Sequence, residues 1–311
     1  MLNYFQAVVI GVLQGVTELF PISSLGHSVF IPALFGWSNI VKAQSQPESP
    51  YLAFLVGLHV ATAIALLIYF RRDWNRIIRG LCRSAANRRI DPADSDARLG
   101  WLLVVASIPT GVIGLIFEHR LRTVFAKPIA ASIFLMVNGL ILFVGERARR
   151  RAAERVTVPV GTVSQQGAAQ DGGSADDAAV SDERLAKIDF KEAGVIGVAQ
   201  TAALFAGISR SGVTMVAGLA RGLDHEDAAR FSFLLATPII LAAGVYKLPD
   251  LLGPLGNHIR GQVLVGSIAA GLAAYAAVRF LVRYFETRTL TPFAIYSLVA
   301  GAALTIRFAA F

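Results

Sequence analysis

The chain has 311 residues, of which 55% are hydrophobic and 16% are charged, against about a quarter charged in an average soluble domain. The composition excludes an ordinary soluble protein and favours one with several membrane spans. The formal net charge is +8, but the arginines cluster just outside the apolar stretches, as topology determinants do, so the charge does not indicate a nucleic-acid partner.

The first apolar region, residues 2–35, is broken by polar side chains and by a proline. Glu18 precedes Pro21, and Ser23, Ser24 and His27 follow it. These groups are costly in hydrocarbon, so one clean span is not expected here. The pattern instead predicts two short helices that form a re-entrant hairpin, a structure tolerated where protein or water covers the backbone.

Three uninterrupted apolar stretches follow and predict membrane-spanning helices near residues 52–70, 99–117 and 128–145. The loop 71–98, between the first two spans, carries eight arginines. It also holds the single cysteine, Cys82, so the sequence has no disulfide framework. Together with the hairpin, the three spans make up a first unit, residues 1–145.

Residues 146–189 differ in composition from the regions on either side. They begin with a cluster of arginines, as is usual where a chain leaves the membrane. The segment 160–180 is rich in Gly, Ala, Ser, Asp and Gln and has no aromatic residue. Because such a segment buries too little apolar surface to offset its chain entropy, we expect a disordered linker between two halves.

The second half, residues 190–311, echoes the first. It opens with another interrupted apolar region, 190–222, which predicts a second re-entrant hairpin, and it continues with predicted spans near 230–247, 260–280 and 290–308. GVLQ…LFPISS in the first half is weakly matched by GVAQ…LFAGISRS in the second. Because each half has an odd number of full spans, the second half is predicted to cross the membrane in the opposite orientation to the first. The predicted fold is therefore an all-α polytopic membrane protein built as an inverted repeat, with one re-entrant helical hairpin plus three transmembrane helices in each half.

The distribution of basic residues predicts the orientation in the membrane. Most Lys and Arg residues lie on the side that carries the loops 71–98, 146–189, 223–229 and 279–289. Because cytoplasmic loops are enriched in positive charge, this side is predicted to be cytoplasmic. Both termini then lie outside, and the first hairpin enters the membrane from the external face.

The first hairpin carries the candidate catalytic groups. Gln14 and Glu18 are four residues apart and so share one helix face. A carboxylate acts as a general base or holds a metal, a serine such as Ser24 attacks phosphorus with Ser23 in support, and His27 carries a proton. A structural pair between Glu18 and His27 is the alternative, but ionisable residues inside a membrane are functional by default.

The second hairpin carries the candidate phosphate-binding groups. Arg210 is the only Lys or Arg between Lys191 and Arg221. Its guanidinium can fork onto phosphate oxygens with two parallel hydrogen bonds. Backbone N–H groups at glycines and nearby hydroxyls add donors, and these come from Gly207, Ser209, Ser211 and Thr214. An ion pair between Arg210 and Glu18 is the alternative, and both arrangements are compatible with an empty site.

Other candidates are weaker. His59 is a single polar residue in an apolar span, which favours a satisfied interior histidine over a role beside the site. The sequence has no P-loop, dinucleotide-binding fingerprint or Cys/His metal cluster. A metal would therefore be a hard cation, Mg²⁺ or Ca²⁺, bound by oxygens from Glu18 and from substrate phosphates.

Two motifs resemble those of a known family. QGVTELFPISSLGH and GISRSGVT are similar to the two signatures of the undecaprenyl-pyrophosphate phosphatase family, (E/Q)GxTEFLPISSxGH and PGxSRSGxT, and the likeness runs nearly end to end. Ala206 stands where the family usually has proline, Gln14 is the less acidic option at its position, and the segment 146–189 looks longer than is usual.

The resemblance implies an enzyme of the bacterial cell membrane that is linked to bacitracin resistance. Such enzymes hydrolyse a C55 polyprenyl pyrophosphate to the lipid monophosphate and phosphate at a site open to the outer face, with a divalent cation, and so recycle the lipid carrier for cell-wall synthesis. The implied partners are this substrate and membrane lipid, and a homodimer is left open. Attack by Ser24 and direct attack by water both remain open, and a transporter or flippase for a phosphorylated polyprenyl lipid is the alternative function.

Overall fold

The computed structural model describes residues 2–44, 46, 49–125, 127–156, 175–253 and 256–310, and these contain helices and no strand. The described residues form thirteen α-helices, and a 3₁₀ turn, Thr201–Leu204, lies between the ninth and the tenth. The helices in chain order are α1 Tyr4–Leu19, α2 Ser24–Leu34, α3 Ser38–Gln44, α4 Pro50–Tyr69, α5 Arg71–Ala86, α6 Ser95–Phe125, α7 Pro128–Val156, α8 Ala175–Ala186, α9 Phe190–Gln200, α10 Arg210–Ala220, α11 His225–Leu252, α12 Arg260–Thr287 and α13 Thr291–Ala310.

Six of these helices are long and apolar enough to cross a membrane, namely α4, α6, α7, α11, α12 and α13. They coincide with the six predicted spans, so the prediction of an all-helical polytopic membrane protein is confirmed. Helices α1 and α2 are apolar but shorter. The relation of the two halves as an inverted repeat stays a prediction.

The first hairpin is formed by α1 and α2. Asn3 begins α1 with a capping box, in which its side chain accepts from the backbone of Gln6 while the Gln6 side chain accepts from the backbone of Asn3. The chain turns through Pro21, and Ser23 adopts a left-handed φ of 70° and caps α2 through Gly26. The turn therefore presents the start of α2 beside the end of α1.

The second hairpin is formed by α9, the 3₁₀ turn and α10. Gly207 has a φ of 110°, and a Cβ atom there would lie 2.2 Å from the carbonyl oxygen of Ala131 on α7. Only glycine meets both the conformation and the close approach. Ser209 then caps α10 by accepting from the backbone of Gly212, and Arg210 is the first residue of the helix.

The hairpins pack mainly against helices from the opposite half of the chain. Helix α1 packs along α12, where Gly15 lies so close to Ala270 that a Cβ would come within 2.2 Å of that carbonyl oxygen. Helix α9 packs against α6, and α10 packs against both α7 and α11. The opposite half therefore holds α1 and α9, while α10 is held by both halves.

One prediction needs correction. Of the segment 160–180, predicted to be disordered, residues up to 174 lie outside the described residues, but α8 begins at Ala175 within the predicted linker. Tertiary contacts stabilise this helix: Asp182 pairs with Arg76 and Arg230, and Leu185 is fully buried in the main core. The arginine-rich loop 71–98 likewise contains a helix, α5, on which the free Cys82 is exposed.

Candidate active site

The turns of the two hairpins meet in the interior of the protein. The backbone N–H of Gly207 donates to Ser23 Oγ at 3.1 Å. Asn138 of α7 joins the same turns, because its Nδ2 donates to the carbonyl of Pro21 at 2.9 Å and its Oδ1 accepts from the N–H of Ser209 at 2.9 Å. The predicted meeting of the two polar inserts is therefore present in the structure.

Glu18 is the centre of the polar cluster and is only 8% exposed. Its Oε1 accepts from Arg210 Nη2 at 2.8 Å, and its Oε2 accepts from Ser24 Oγ at 2.5 Å and from Gln14 Nε2 at 3.0 Å. The Nε2 atom of His59 lies 3.5 Å from the same Oε2. A buried carboxylate thus links a hydroxyl, an amide and a guanidinium from both hairpins.

A cavity of about 310 Å³ adjoins this cluster. Its polar wall includes Glu18, Ser23, Ser24, His59, Ser209 and Arg210, together with Thr17, Ser28, Gln44, Thr110, Gln200 and Lys247. Its apolar wall comes largely from α4 and α11, through Leu52, Leu55, Val56, Ile239, Ile240 and Ala243. The cavity therefore suits an amphiphile with a polar head and an apolar tail.

Arg210 has a free donor group beside the cavity. Its Nη1 atom is buried and has no hydrogen-bond partner within the described part of the chain, while Nη2 is bound to Glu18. The side chain is 12% exposed. An anion that enters the cavity can satisfy Nη1, so the predicted phosphate role and the ion pair with Glu18 are compatible.

The remaining residues of the second hairpin divide into two groups. Ser209 lines the cavity, and its hydroxyl lies 3.0 Å from that of Ser211. The carbonyl of Phe20 accepts from the Ser209 hydroxyl at 3.5 Å and from the Ser211 hydroxyl at 3.3 Å. Ser211, Thr214 and Gly207 do not line the cavity. Thr214 Oγ1 is buried without a hydrogen-bond partner among the described residues. These three residues lie behind the cavity wall rather than in it.

His27 does not reach the cavity. Its Nδ1 lies 2.7 Å from the carbonyl oxygen of Ser23, and its Nε2 lies 2.8 Å from the hydroxyl of Tyr296 on α13. The two rings are nearly parallel, with centroids 5.9 Å apart, and His27 is 4% exposed. Both ring nitrogens are engaged, and the predicted pairing with Glu18 does not occur.

Comparison with known proteins identifies the family of the chain. The family model described as "Bacitracin resistance protein BacA" matches residues 7–303. The chain belongs to the BacA family. "Undecaprenyl-diphosphatase 2" of Frankia alni is 56% identical over 99% of this chain and 98% of its own length. "Undecaprenyl-diphosphatase" of Mycolicibacterium paratuberculosis is 57% identical over 97% and 96%, and "Undecaprenyl-diphosphatase 2" of Burkholderia ambifaria is 43% identical over 94% and 93%.

In this BacA-family chain, sequence reasoning gave too little weight to three residues outside the signatures. His59 lies beside Glu18, and Asn138 joins the two turns. Gln200 lines the cavity and donates to Thr110, while its Oε1 is buried without a partner in the described region. Their one visible signal is polarity within apolar stretches, and His59 and Asn138 also lie far from both motifs along the chain.

The described residues of the BacA-family site contain no group of three or more His, Cys, Asp and Glu side chains that could hold a metal. A carboxylate has about four lone-pair positions, and three of those on Glu18 receive hydrogen bonds from Arg210, Ser24 and Gln14. One position on Oε1 remains. The donor set therefore fits a hard cation only where a ligand supplies most of the oxygens.

Proposed function

We propose that this protein is an integral membrane phosphatase that hydrolyses undecaprenyl pyrophosphate to undecaprenyl phosphate and inorganic phosphate. The reaction returns the lipid carrier to cell-wall synthesis and underlies resistance to bacitracin. The observation that carries the proposal is the cluster of Glu18, Ser24 and Arg210 beside a cavity with one apolar wall. The names of the relatives over nearly the full chain support the same substrate.

Binding of the substrate uses both walls of the cavity. The first isoprene units of the lipid lie along the apolar residues of α4 and α11, while the pyrophosphate faces Arg210. Its oxygens satisfy the buried Nη1 and share the guanidinium with Glu18. Preorganised donors of this kind stabilise charge on the transferring phosphoryl group without reorganisation during the reaction.

The first chemical step is attack by Ser24. Its Oγ forms a bond to the terminal phosphorus, and Glu18 Oε2, 2.5 Å away, accepts the hydroxyl proton. The bond between that phosphorus and the bridging oxygen breaks, and its electron pair leaves with undecaprenyl phosphate. Gln14 holds the carboxylate in position through its hydrogen bond to Oε2. The product on the enzyme is a phosphoserine.

The other predicted residues shape the site. Ser23 and Ser209 line the cavity and offer hydroxyl groups to the phosphate, whereas Gly207, Ser211 and Thr214 support the two turns from behind. His27 positions the start of α2 through its contacts with Ser23 and Tyr296. This division differs from the predictions that His27 carries a proton and that Gly207, Ser211 and Thr214 bind phosphate directly.

A divalent cation is part of the proposal. Mg²⁺ or Ca²⁺ would be held by the remaining lone pair of Glu18 and by pyrophosphate oxygens, and it would neutralise charge on the phosphates. The chelator experiment below tests this requirement.

The location is proposed from the charge distribution. The protein resides in the bacterial inner membrane with the site open to the external face and with residues 146–189 on the cytoplasmic side, where the basic residues cluster. Homodimer formation stays a prediction.

The deciding experiment is a phosphate-release assay on purified protein. The protein is incubated with undecaprenyl pyrophosphate in detergent, with Mg²⁺, with Ca²⁺ and with a chelator. We expect release of one phosphate per lipid, abolished by the chelator. Absence of release under every metal condition would contradict a phosphatase and favour transport of the phosphorylated lipid.

A further inference from the structure

The tautomer of His59 on α4 leaves a lone pair facing the site. Its Nδ1 lies 2.8 Å from the carbonyl oxygen of Leu55, four residues earlier in the same helix. A carbonyl oxygen can only accept, so Nδ1 carries the proton, and in the neutral ring Nε2 has a lone pair. That Nε2 lies 3.5 Å from Glu18 Oε2, and the His59 side chain is 32% exposed and lines the cavity.

The same argument excludes His27 from this role. Its Nδ1 is likewise occupied by a backbone carbonyl, that of Ser23, but its Nε2 contacts the Tyr296 hydroxyl and the ring does not line the cavity. Water that reaches the cavity therefore meets the nitrogen of His59 and not that of His27.

Three charged groups share the described cavity wall with His59. They are Glu18 on α1, Arg210 on α10 and Lys247 on α11. Glu18 is the nearest of the three, and Arg210 is already paired with it. Lys247 contacts the ring of Tyr246. A histidine in such a setting can accept a proton and then release it, which is the property required of a general base.

We propose that His59 is the catalytic base that activates water in the second step of the reaction, an inference that rests on the proposed phosphatase function. Water attacks the phosphorus of phosphoserine 24, and His59 Nε2 takes one proton from it. The bond between phosphorus and Ser24 Oγ breaks, and its electron pair returns to Oγ, which recovers its proton from Glu18. Inorganic phosphate leaves, and the imidazolium releases its proton to solvent.

The test is the variant His59→Gln, which keeps a polar side chain of similar reach. With labelled undecaprenyl pyrophosphate we expect a burst of about one lipid phosphate per enzyme, accumulation of phosphoserine, and steady-state turnover lowered by roughly 10²- to 10⁴-fold. The burst itself shows that the variant is folded.

Two other histidine variants serve as controls. His258→Asn changes an exposed residue with a φ of 71°, a conformation that asparagine tolerates, and should keep wild-type turnover. His27→Gln should lower turnover without accumulation of phosphoserine. Free imidazole should partly restore turnover in His59→Ala and not in the variant of His27.

The outcomes separate this inference from the function on which it rests. If the wild-type protein releases no phosphate, the proposed function fails. If the wild type is active while His59→Gln keeps its turnover, only the role of His59 fails. Loss of turnover in His59→Gln without phosphoserine, or accumulation of phosphoserine in His27→Gln instead, would also overturn the assignment.

Discussion

At the scale of single residues, the ion pair between Glu18 and Arg210 balances two buried charges in the absence of substrate. The carboxylate and the guanidinium approach to 2.8 Å, with side chains 7% and 12% exposed. Either group alone at this depth would be costly, since an unpaired buried charge destabilises a protein by several kcal/mol. The ion pair therefore keeps the Arg210 guanidinium buried in the empty site, and an entering pyrophosphate can share it with Glu18.

Arg210→Lys is expected to lower kcat/KM roughly 10- to 150-fold. Lysine keeps the charge but has no fork, so the bond to Glu18 and the bond to phosphate cannot form together, and the loss of one charged hydrogen bond is about 1.5–3 kcal/mol. Phosphate release measures the change. Arg260→Lys, at the exposed start of α12, is the matched control and should leave kcat/KM unchanged. Wild-type kcat/KM in Arg210→Lys would contradict the forked contact.

Ser24→Ala is expected to abolish both the phosphoserine and most of the turnover, by at least about 10²-fold, because the nucleophile we propose is the hydroxyl beside Glu18. Ser107→Ala provides the comparison, since its hydroxyl donates to the carbonyl of Leu103 in its own helix and does not line the cavity. Substantial hydrolysis by Ser24→Ala would replace the covalent route with direct attack by water.

The site could be predicted in part from sequence, and the limit has a physical reason. Gln14, Glu18 and Ser24 lie within one hairpin, so local spacing brings them together. His59 approaches Glu18 from a separate helix, and no local pattern encodes that contact. The position of His27 was misjudged for the same reason, because its partner Tyr296 lies 269 residues away.

At the scale of elements, the hairpin turns depend on close backbone contact. A Cβ atom on Gly26 would lie 3.0 Å from the Cα of Gly207, and the N–H of Gly207 donates to Ser23. The turns thus fix the start of α2, which carries Ser24, against the start of α10, which carries Arg210.

Gly207→Ala is expected to lower activity and thermal stability together. The added methyl group meets the carbonyl of Ala131 on α7 and the residue loses its φ of 110°, so the start of α10 must shift. A displacement of about 1 Å at such a site lowers the rate by roughly 10²-fold. Gly194→Ala on α9 has open space around its Cβ and is the control. Equal melting temperature and activity in the two variants would refute the packing argument.

Spans and hairpins were predictable because hydropathy reports contact with lipid directly. Helix α8 was not, because its composition is polar and small and gives no apolar stripe by itself. Its stability comes from ion pairs of Asp182 and Arg184 with residues on α5 and α11. Such pairs exist only once the spans have assembled.

At the scale of the whole molecule, a buried charge cluster holds α8 against α5 and α11. The cluster consists of Asp73, Arg76, Asp182 and Arg230. Arg230 of α11 donates at 2.9 Å to both Asp182 of α8 and Asp73 of α5. Burial raises the pKa of Asp182, and Arg230 and Arg76 oppose that shift. The cluster ties the segment that precedes the second hairpin to the bundle.

Arg230→Gln is expected to loosen α8, because Asp182 and Asp73 then share one described cation, Arg76, instead of two, and breaking a buried ion pair costs about 3–5 kcal/mol. Hydrogen exchange of residues 181–188 should rise. A carboxyl whose pKa is raised in the folded state binds protons more readily there, so docking should recover as pH falls through that pKa. Arg83→Ala removes an exposed pair with Asp94, is expected to cost about 0–1 kcal/mol, and serves as control. Unchanged exchange in Arg230→Gln would show that the cluster does not hold α8.

The separation of Glu18 and Arg210 along the chain has a consequence for biosynthesis. They are 192 residues apart, so a ribosome that adds ~5–20 residues per second needs roughly 10–40 s to deliver the arginine after the glutamate. Throughout that interval the nascent first hairpin holds an acidic group with no guanidinium partner. The new chain must keep this group protonated or in contact with water until the second hairpin inserts, and it acquires enzymatic activity only in the last third of its synthesis.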